Sequence, residues 1–379
     1  MEVVYEAVSH GLAPLLYRRL KESDARADVP PDAWERLRSQ YFERACWNVR
    51  LYRELRTLLR RLRSDGIPVI VLKGAYLAEA VYGDIALRPI LDADLLVPRA
   101  ELPRALAVLL DMGGVHQQSE DIESCCKRGP HLPRVVMRYL MIEIHWTIAS
   151  PTGPVRVDAA GLWDRVHPAS VAGVEVLALS PEDLLLHLCL HICYQHRLRV
   201  GLKSICDIAQ TIHRFRDEMD WTEVADRARE WGAARYVGLT LHLARSMLGS
   251  GVPDDVLERL VPGGLDQVMI ETARESVLTQ SGYGRWMPFF DQMDAKSIGD
   301  KARLFQLFRK RVFLSRGEMA AKYPASRNSR RLYFYHALRL RDAVRFLVAH
   351  TQRRRLPLIR SRGRDRKVSL VNWLKSGQP

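Results

Sequence analysis

The sequence predicts an α+β protein. A small mixed sheet with flanking helices sits between an N-terminal helical segment and a C-terminal all-helical domain. Two observations carry this reading. Apolar residues recur at spacings of three and four before residue 63 and again after residue 180, the period of amphipathic helices. Between 64 and 150 they gather instead into short apolar runs separated by helix signals, giving strand–helix–strand–helix–strand. The boundaries read 1–63 for the first helical segment, 64–150 for the core, 151–290 for the helical domain closing a cleft, and 291–379 for a basic Arg-rich extension.

Each element has a local cause. Trp34, Leu37, Tyr41 and Ala45, then Leu51, Leu55, Leu58, Leu59 and Leu62, form an apolar stripe. Pro30-Pro31-Asp32 opens a helix there and Asp65-Gly66 ends the pattern. Residues 67–72 form an apolar run with a β-branched stretch, the signature of a buried strand. A helix is expected from Ala75 to about Tyr82, a second strand over Ile90–Val97, and a helix over Arg99–Asp111 opened by Pro98 and stopped by Gly113-Gly114. Residues 115–134 read as irregular, and Leu140–Trp146 as a third strand. Ser180-Pro181-Glu182-Asp183 starts a helix through Tyr194, and further helices follow near 200–216, 221–231, 233–249 and 254–280.

Composition and charge narrow the class. At 47% hydrophobic and 27% charged, the 379 residues describe a globular chain and exclude a disordered one. No charge-free run of 18 apolar residues predicts a membrane span, and the N-terminus lacks the pattern of a secretory signal. Six sparse cysteines read as reduced thiols of a cytoplasmic protein. The net charge of +14 is uneven: residues 301–379 hold 22 Lys and Arg against three acids, so the preceding 300 are mildly acidic. The extension is expected to meet an anionic partner, an acidic peptide, RNA or a membrane surface, with Tyr333, Phe334 and Tyr335 as stacking surfaces if that partner is RNA. The plainer alternative is a solvated extension packed on the acidic body.

The informative chemistry is Asp92-Ala93-Asp94 on a strand. Residues i and i+2 of a strand share a face, so two carboxylates lie a pleat apart. Apolar neighbours on both sides argue against solvation as the way to relieve their repulsion. A bound cation does so, and Mg²⁺ takes oxygen ligands of this kind. Glu143 on the next strand joins them if the two strands pair, and His145 points to the same side as Glu143, where it could orient that carboxylate or, equally, pack in the core. Lys73-Gly74 lies where a strand runs into a helix. Glycine there lets backbone approach an anion, and Lys73 and Arg88 offer charge to a phosphate. The alternative is that Asp92 and Asp94 are loop-edge acids paired with Arg88 and Arg99.

These residues resemble the nucleotidyltransferase superfamily that includes DNA polymerase beta. Over roughly residues 5–250 they resemble more closely a bacterial branch of uncharacterised "nucleotidyltransferase family" proteins. The segments GIPVIVLKGAYLAEAVYGDIALRPILDADLLV, IEIHW, LSPEDLLLHLCLH and SICDIAQTI carry the likeness. Lys73-Gly74 follows that branch's variant of the superfamily's glycine pair, and Ala93 stands where a larger apolar residue is usual.

The resemblance implies a nucleotidyltransferase-type sheet and an enzyme. Asp92 and Asp94 would hold two Mg²⁺ ions, with Mn²⁺ as the alternative, and Glu143 would share one or accept a proton. An NTP, expected to be ATP, would lie against Gly74, Lys73 and Arg88. Asp207 resembles a helix position of the branch, touching base or ribose or positioning Lys203. Alternatively, Asp207 is a buried acid paired with Lys203 at i−4.

The acceptor would be a hydroxyl on a peptide or small molecule, as in natural-product and peptide-modification pathways. Three further readings keep the fold: a kinase of peptide Ser or Thr using the same metal site, a toxin-like transferase acting on tRNA, and a nucleic-acid-binding protein with an inactive core.

Other motifs carry less. On an ideal helix His187 and His191 face one way and Cys189 and Cys193 another, so one ion cannot reach all four. They read as core residues, with His187 or His191 able to face the cleft. Cys125-Cys126 falls in the irregular stretch with no role assigned, and His131 could line the cleft.

Overall fold

A helix of 34 residues, α3 (Pro31–Ser64), organises the first part of the chain. The computed structural model describes residues 2–116, 121–138, 140–279 and 333. The stripe read from the sequence forms one continuous helix with Pro31 in its first turn and Gly66 beyond its end at φ +70°. Its N-terminal half buries Ala33 and Leu37 against α1 (Glu2–Ser9) and α2 (Ala13–Lys21), in a small separate core. Its C-terminal half buries Leu51, Leu55, Leu58, Leu59 and Leu62 in the main core.

The described sheet has seven strands. β1 (Ile70–Leu72), β2 (Asp92–Leu96), β3 (Val115–His116), β4 (Val135–Val136), β5 (Met141–His145), β6 (His167–Val171) and β7 (Val174–Ala178) pair in the order β3-β4-β5-β2-β1-β7-β6. β2 runs antiparallel to β1 and parallel to β5, so the sheet is mixed. Ala93, Leu95, Ile142 and Ile144 are buried on one face of the central pair, and the polar residues alternate onto the other.

Several segments differ from the sequence reading. The helix after β1 begins at Lys73, as α4 (Lys73–Tyr76), and widens to a π turn over Leu77–Val81. Arg99–Glu101 is a 3₁₀ turn before α5 (Leu102–Asp111). The stretch 115–134 is not wholly irregular, because β3 and α6 (Ile122–Arg128) lie in it. Cys125 and Cys126 are therefore buried helical residues, held by the Asp121 cap that accepts from Ser124 N. The β6–β7 hairpin, between α7 (Ala159–Asp164) and the helices, has no strong sequence signal. Pro168 sits in its edge strand, and its two-residue turn is Ala172-Gly173, both at positive φ. Glu79 and Arg56 hold that turn through the Ala172 N–H and C=O.

Helices α8 (Pro181–Cys189), α9 (Leu202–Arg214), α10 (Trp221–Glu230), α11 (Ala234–Leu248), α12 (Asp254–Leu260) and α13 (Gln267–Thr279) follow. Ser180 caps α8 through Asp183 N as its sequence implies. Asp183, fully buried, also takes Arg165 and Arg227 at 2.8 and 2.9 Å, tying α7 and α10 to α8. Past Cys189 the helix opens into a π turn over Leu190–Gln195. Arg197 and Leu198 then take left-handed backbone, at φ +50° and +61°. Two consecutive non-glycine residues in that region are strained, and strain of this kind gathers at functional walls. Among the described residues no helix is long and apolar enough to cross a membrane. The basic extension 291–379 lies outside the described residues except for Tyr333, which is exposed.

Candidate active site

The register of β2 on β5 puts Asp94 opposite Glu143, and that of β1 on β2 puts Leu72 opposite Asp94. Lys73, the residue after Leu72, therefore emerges beside Asp94. Its φ of +39° turns the chain sharply from strand into helix. Its buried ammonium lies 3.3 Å from Asp94 Oδ1 and 3.4 Å from His191 Nδ1.

His145 shares the face of Glu143, two residues on. Its Nε2 is 3.0 Å from Asp94 Oδ1 and 3.6 Å from Glu143 Oε2. Arg134 donates from Nε to Glu143 Oε1, and His131 Nε2 lies 3.9 Å from Oε2. Asp92 lies on the same face of β2 as Asp94, yet among the described residues no donor or cation reaches its carboxylate within hydrogen-bond distance.

Charge follows from this arrangement. Burial raises the Asp92 pKa, and the charges of Asp94 and Glu143 add to the rise. Burial pushes Asp94 the same way, but Lys73 and the His145 hydrogen bond outweigh it and hold Asp94 well below the carboxylate range. Glu143 likewise resists burial, through His145, His131 and Arg134, and falls to about 2. Burial lowers the His145 imidazole, while its hydrogen bonds to Asp94 and Glu143 more than restore it.

These groups floor a cleft of about 720 Å³. Its lining includes Lys73, Gly74, Arg88, Arg134, Arg197, Arg199 and Lys203, with His10, His131, His191 and His196. Six Lys and Arg against three carboxylates make a wall suited to a polyanion over a floor suited to a cation. Gly74 lets the Arg88 guanidinium pack close to the chain: a Cβ there would stand 3.1 Å from Arg88 Nη1.

Arg88 and Asp207 form a buried fork, Nε to Oδ1 and Nη2 to Oδ2, both 2.8 Å. Tyr82 donates to Asp207 Oδ1 at 2.8 Å. Asn48 of α3 donates to the Arg88 carbonyl at 2.9 Å and so fixes the loop before β2. Arg99 pairs with Glu123 at 2.6 Å. Neither arginine pairs with Asp92 or Asp94, and the partner of Asp207 is Arg88 rather than Lys203. Asp207 does not line the cleft, whereas Lys203 does.

Lys203 has no hydrogen bond or ion pair among the described residues, and burial with the nearby Arg88 charge lowers its pKa to about 8 against the pull of Asp207. His187 is fully buried and neither ring nitrogen has a partner among the described residues. His191 reaches the cleft instead, bracing Lys73 and lying 3.1 Å from Gln195 Oε1. Cys189 and Cys193 are buried core residues.

Among the described residues the group able to hold a metal is Asp94, Glu143 and His145, whose donor atoms lie within 4.8 Å of one another. Asp92 stands outside this tight group but on the same cleft floor. Sequence reasoning did not single out Arg134, His196, Arg197, Arg199 or His10. They lie in loops or at helix ends, where no period or motif marks them.

No protein of curated function matches the chain. The solution structure of the antibiotic-resistance factor ANT(2'')-Ia is similar at 16% identity and a TM-score of 0.34, over 50% of this chain and 95% of that one. The crystal structure of ANT(2")-Ia in complex with adenylyl-2"-tobramycin is similar at 14% identity and a TM-score of 0.33, over 52% and 97%. Both likenesses are distant. The model of a family described as "Uncharacterised nucleotidyltransferase" matches residues 1–249, well over half of the chain, and the protein belongs to that family of nucleotidyltransferase enzymes.

Proposed function

We propose that the enzyme moves a nucleoside monophosphate from a metal-bound NTP, with ATP as the expected donor, to a hydroxyl of a peptide or small molecule. The observation that best supports this reading is Asp92. It is a carboxylate on the floor of a cationic cleft, raised in pKa first by burial and then by two neighbouring acids, and no side chain among the described residues bonds to it. A divalent ion, Mg²⁺ or Mn²⁺, fits that donor set. Asp92 and Asp94 would hold it with Glu143. When bound, such an ion neutralises polyphosphate charge and acidifies an attacking hydroxyl.

The chain's own residues supply the rest. Gly74 lines the cleft at the strand–helix junction, where a phosphate would meet backbone. Lys203, Arg197 and Arg199 line the wall a triphosphate would meet, and Lys73 balances charge at Asp94. Arg88, locked by Asp207, offers a fixed positive edge behind Gly74. A pKa of about 2 makes Glu143 a poor proton acceptor and favours the ligand role over the base role. The cavity volume lies in the range of small-molecule sites, about 300–1,000 Å³, which favours a small acceptor or a single peptide side chain. In this reading residues 64–150 are the catalytic core, 151–290 close the cleft, and the basic extension contacts an anionic partner.

Incubation with α- and γ-labelled ATP and candidate acceptors tests the reaction. Label from the α position, with pyrophosphate released, is the expected result. Transfer from the γ position alone would make the enzyme a kinase, and labelled tRNA would identify the acceptor as RNA.

Lys203 gives a pH prediction. Its amine is protonated below about pH 8 and neutral above it, while a bound triphosphate favours the charged form. Nucleotide affinity is therefore expected to fall roughly tenfold between pH 7 and pH 9 through one linked proton. Titration of a fluorescent nucleotide across that range checks it. An equal slope in Lys203→Arg would rule the assignment out.

A further inference from the structure

The resemblance assigns metal binding to carboxylates and leaves His145 beside them. The geometry gives the imidazole a larger part. Metal–oxygen and metal–nitrogen bonds of about 2.1 Å at tetrahedral or octahedral angles place neighbouring donors about 3.0–3.4 Å apart. His145 Nε2 stands 3.0 Å from Asp94 Oδ1 and 3.6 Å from Glu143 Oε2, close to those coordination edges. All three donor atoms lie within 4.8 Å of one another. The ring is 3% exposed and rises from the central strand pair, so it has little room to withdraw from an ion that meets both carboxylates.

The tautomer does not oppose ligation. Without metal, Nε2–H donates to Asp94, and Nδ1 is buried without a hydrogen-bond partner. In the neutral ring, moving its one proton from Nε2 to Nδ1 frees the Nε2 lone pair and leaves Nδ1 unpartnered either way; an imidazolium would reach the same ligand form by releasing the Nε2 proton. Nothing behind the ring holds the proton on Nε2. Lys73, the other donor on Asp94, has no lone pair to offer while it remains an ammonium.

We propose that His145 Nε2 is a direct metal ligand together with Asp94 and Glu143, so that the site takes a first-row transition ion such as Mn²⁺ in preference to Mg²⁺. This rests on the metal reading above. An imidazole donor suits transition ions, whereas Mg²⁺ favours an all-oxygen shell.

Pulsed electron paramagnetic resonance of Mn²⁺ bound to the full chain tests it without reference to activity. A ¹⁴N coupling is expected in the wild type, replaced by ¹⁵N when the protein is made with ¹⁵N-labelled histidine. It should vanish in His145→Gln, whose Mn²⁺ affinity should fall at least about tenfold while Mg²⁺ affinity changes less than about threefold. Mn²⁺ bound in an Asp94-dependent way with no nitrogen coupling would overturn the inference and leave the metal reading standing. So would a histidine coupling that survives in His145→Gln. No Mn²⁺ binding by the wild type would defeat both. If His145→Gln fails to fold, a nitrogen coupling retained in both His131→Gln and His191→Gln, the other histidines near these groups, supports His145, and its loss in either overturns the inference.

Discussion

Replacing Asp94 by Asn is expected to cut nucleotidyl transfer about a thousandfold or more, roughly 4 kcal/mol in the barrier, with the protein still folded. Asp94 is the node of the site. It faces Glu143 across the β2–β5 register and holds both Lys73 and His145. Asn keeps the shape and one acceptor oxygen but removes the charge that would draw a divalent ion between the strands. The loss should appear in the single-turnover rate with α-labelled ATP, while circular dichroism stays that of the wild type. A parallel loss is expected for Asp92→Asn, whose carboxylate takes no hydrogen bond among the described residues that the substitution would break. Activity within tenfold of wild type in either variant would remove the site from the chemistry.

The second large effect concerns stability. Asp207→Ala is expected to lower the unfolding free energy by about 3–5 kcal/mol, because it strips a buried arginine of its carboxylate. Asp207 is 3% exposed and Arg88 6%. Arg88 loses two hydrogen bonds of 2.8 Å and Tyr82 loses its acceptor. Replacing the whole pair with apolar residues, Arg88→Met with Asp207→Leu, should recover most of the lost stability, since two buried charges then disappear together. Urea denaturation of the single and double variants measures both. A single variant within about 1 kcal/mol of wild type would contradict the buried-fork account.

Legibility in the sequence followed locality. Elements with a sustained period were readable: α3 from its leucine stripe, β2 and β5 from apolar runs, and α8 from Ser180-Pro181. β3 and β4 were not, because two residues are too short to show an alternation. The β6–β7 hairpin hid behind Pro168 and an Ala-Gly turn in place of the Asn-Gly or Asp-Gly that marks such turns.

At the site, the shared face of Asp92 and Asp94 follows from strand periodicity. The placement of Glu143 opposite Asp94 required only that two strands pair in register. The Arg88–Asp207 fork spans 119 residues, and no local rule joins its ends. Sequence proximity pointed to Lys203 instead. Lys73 was readable as a cation near an anion site, but its positive φ, which turns the ammonium toward Asp94, was not.

The most direct measurement of the central claim is a crystal structure with Mn²⁺ and a non-hydrolysable ATP analogue. An anomalous Mn²⁺ peak is expected among Asp92, Asp94 and Glu143, within reach of His145 Nε2, with the triphosphate lying over Gly74 and toward Lys203 and the α-phosphorus nearest the ion. Metal density away from these carboxylates, or nucleotide bound outside this cleft, would contradict it.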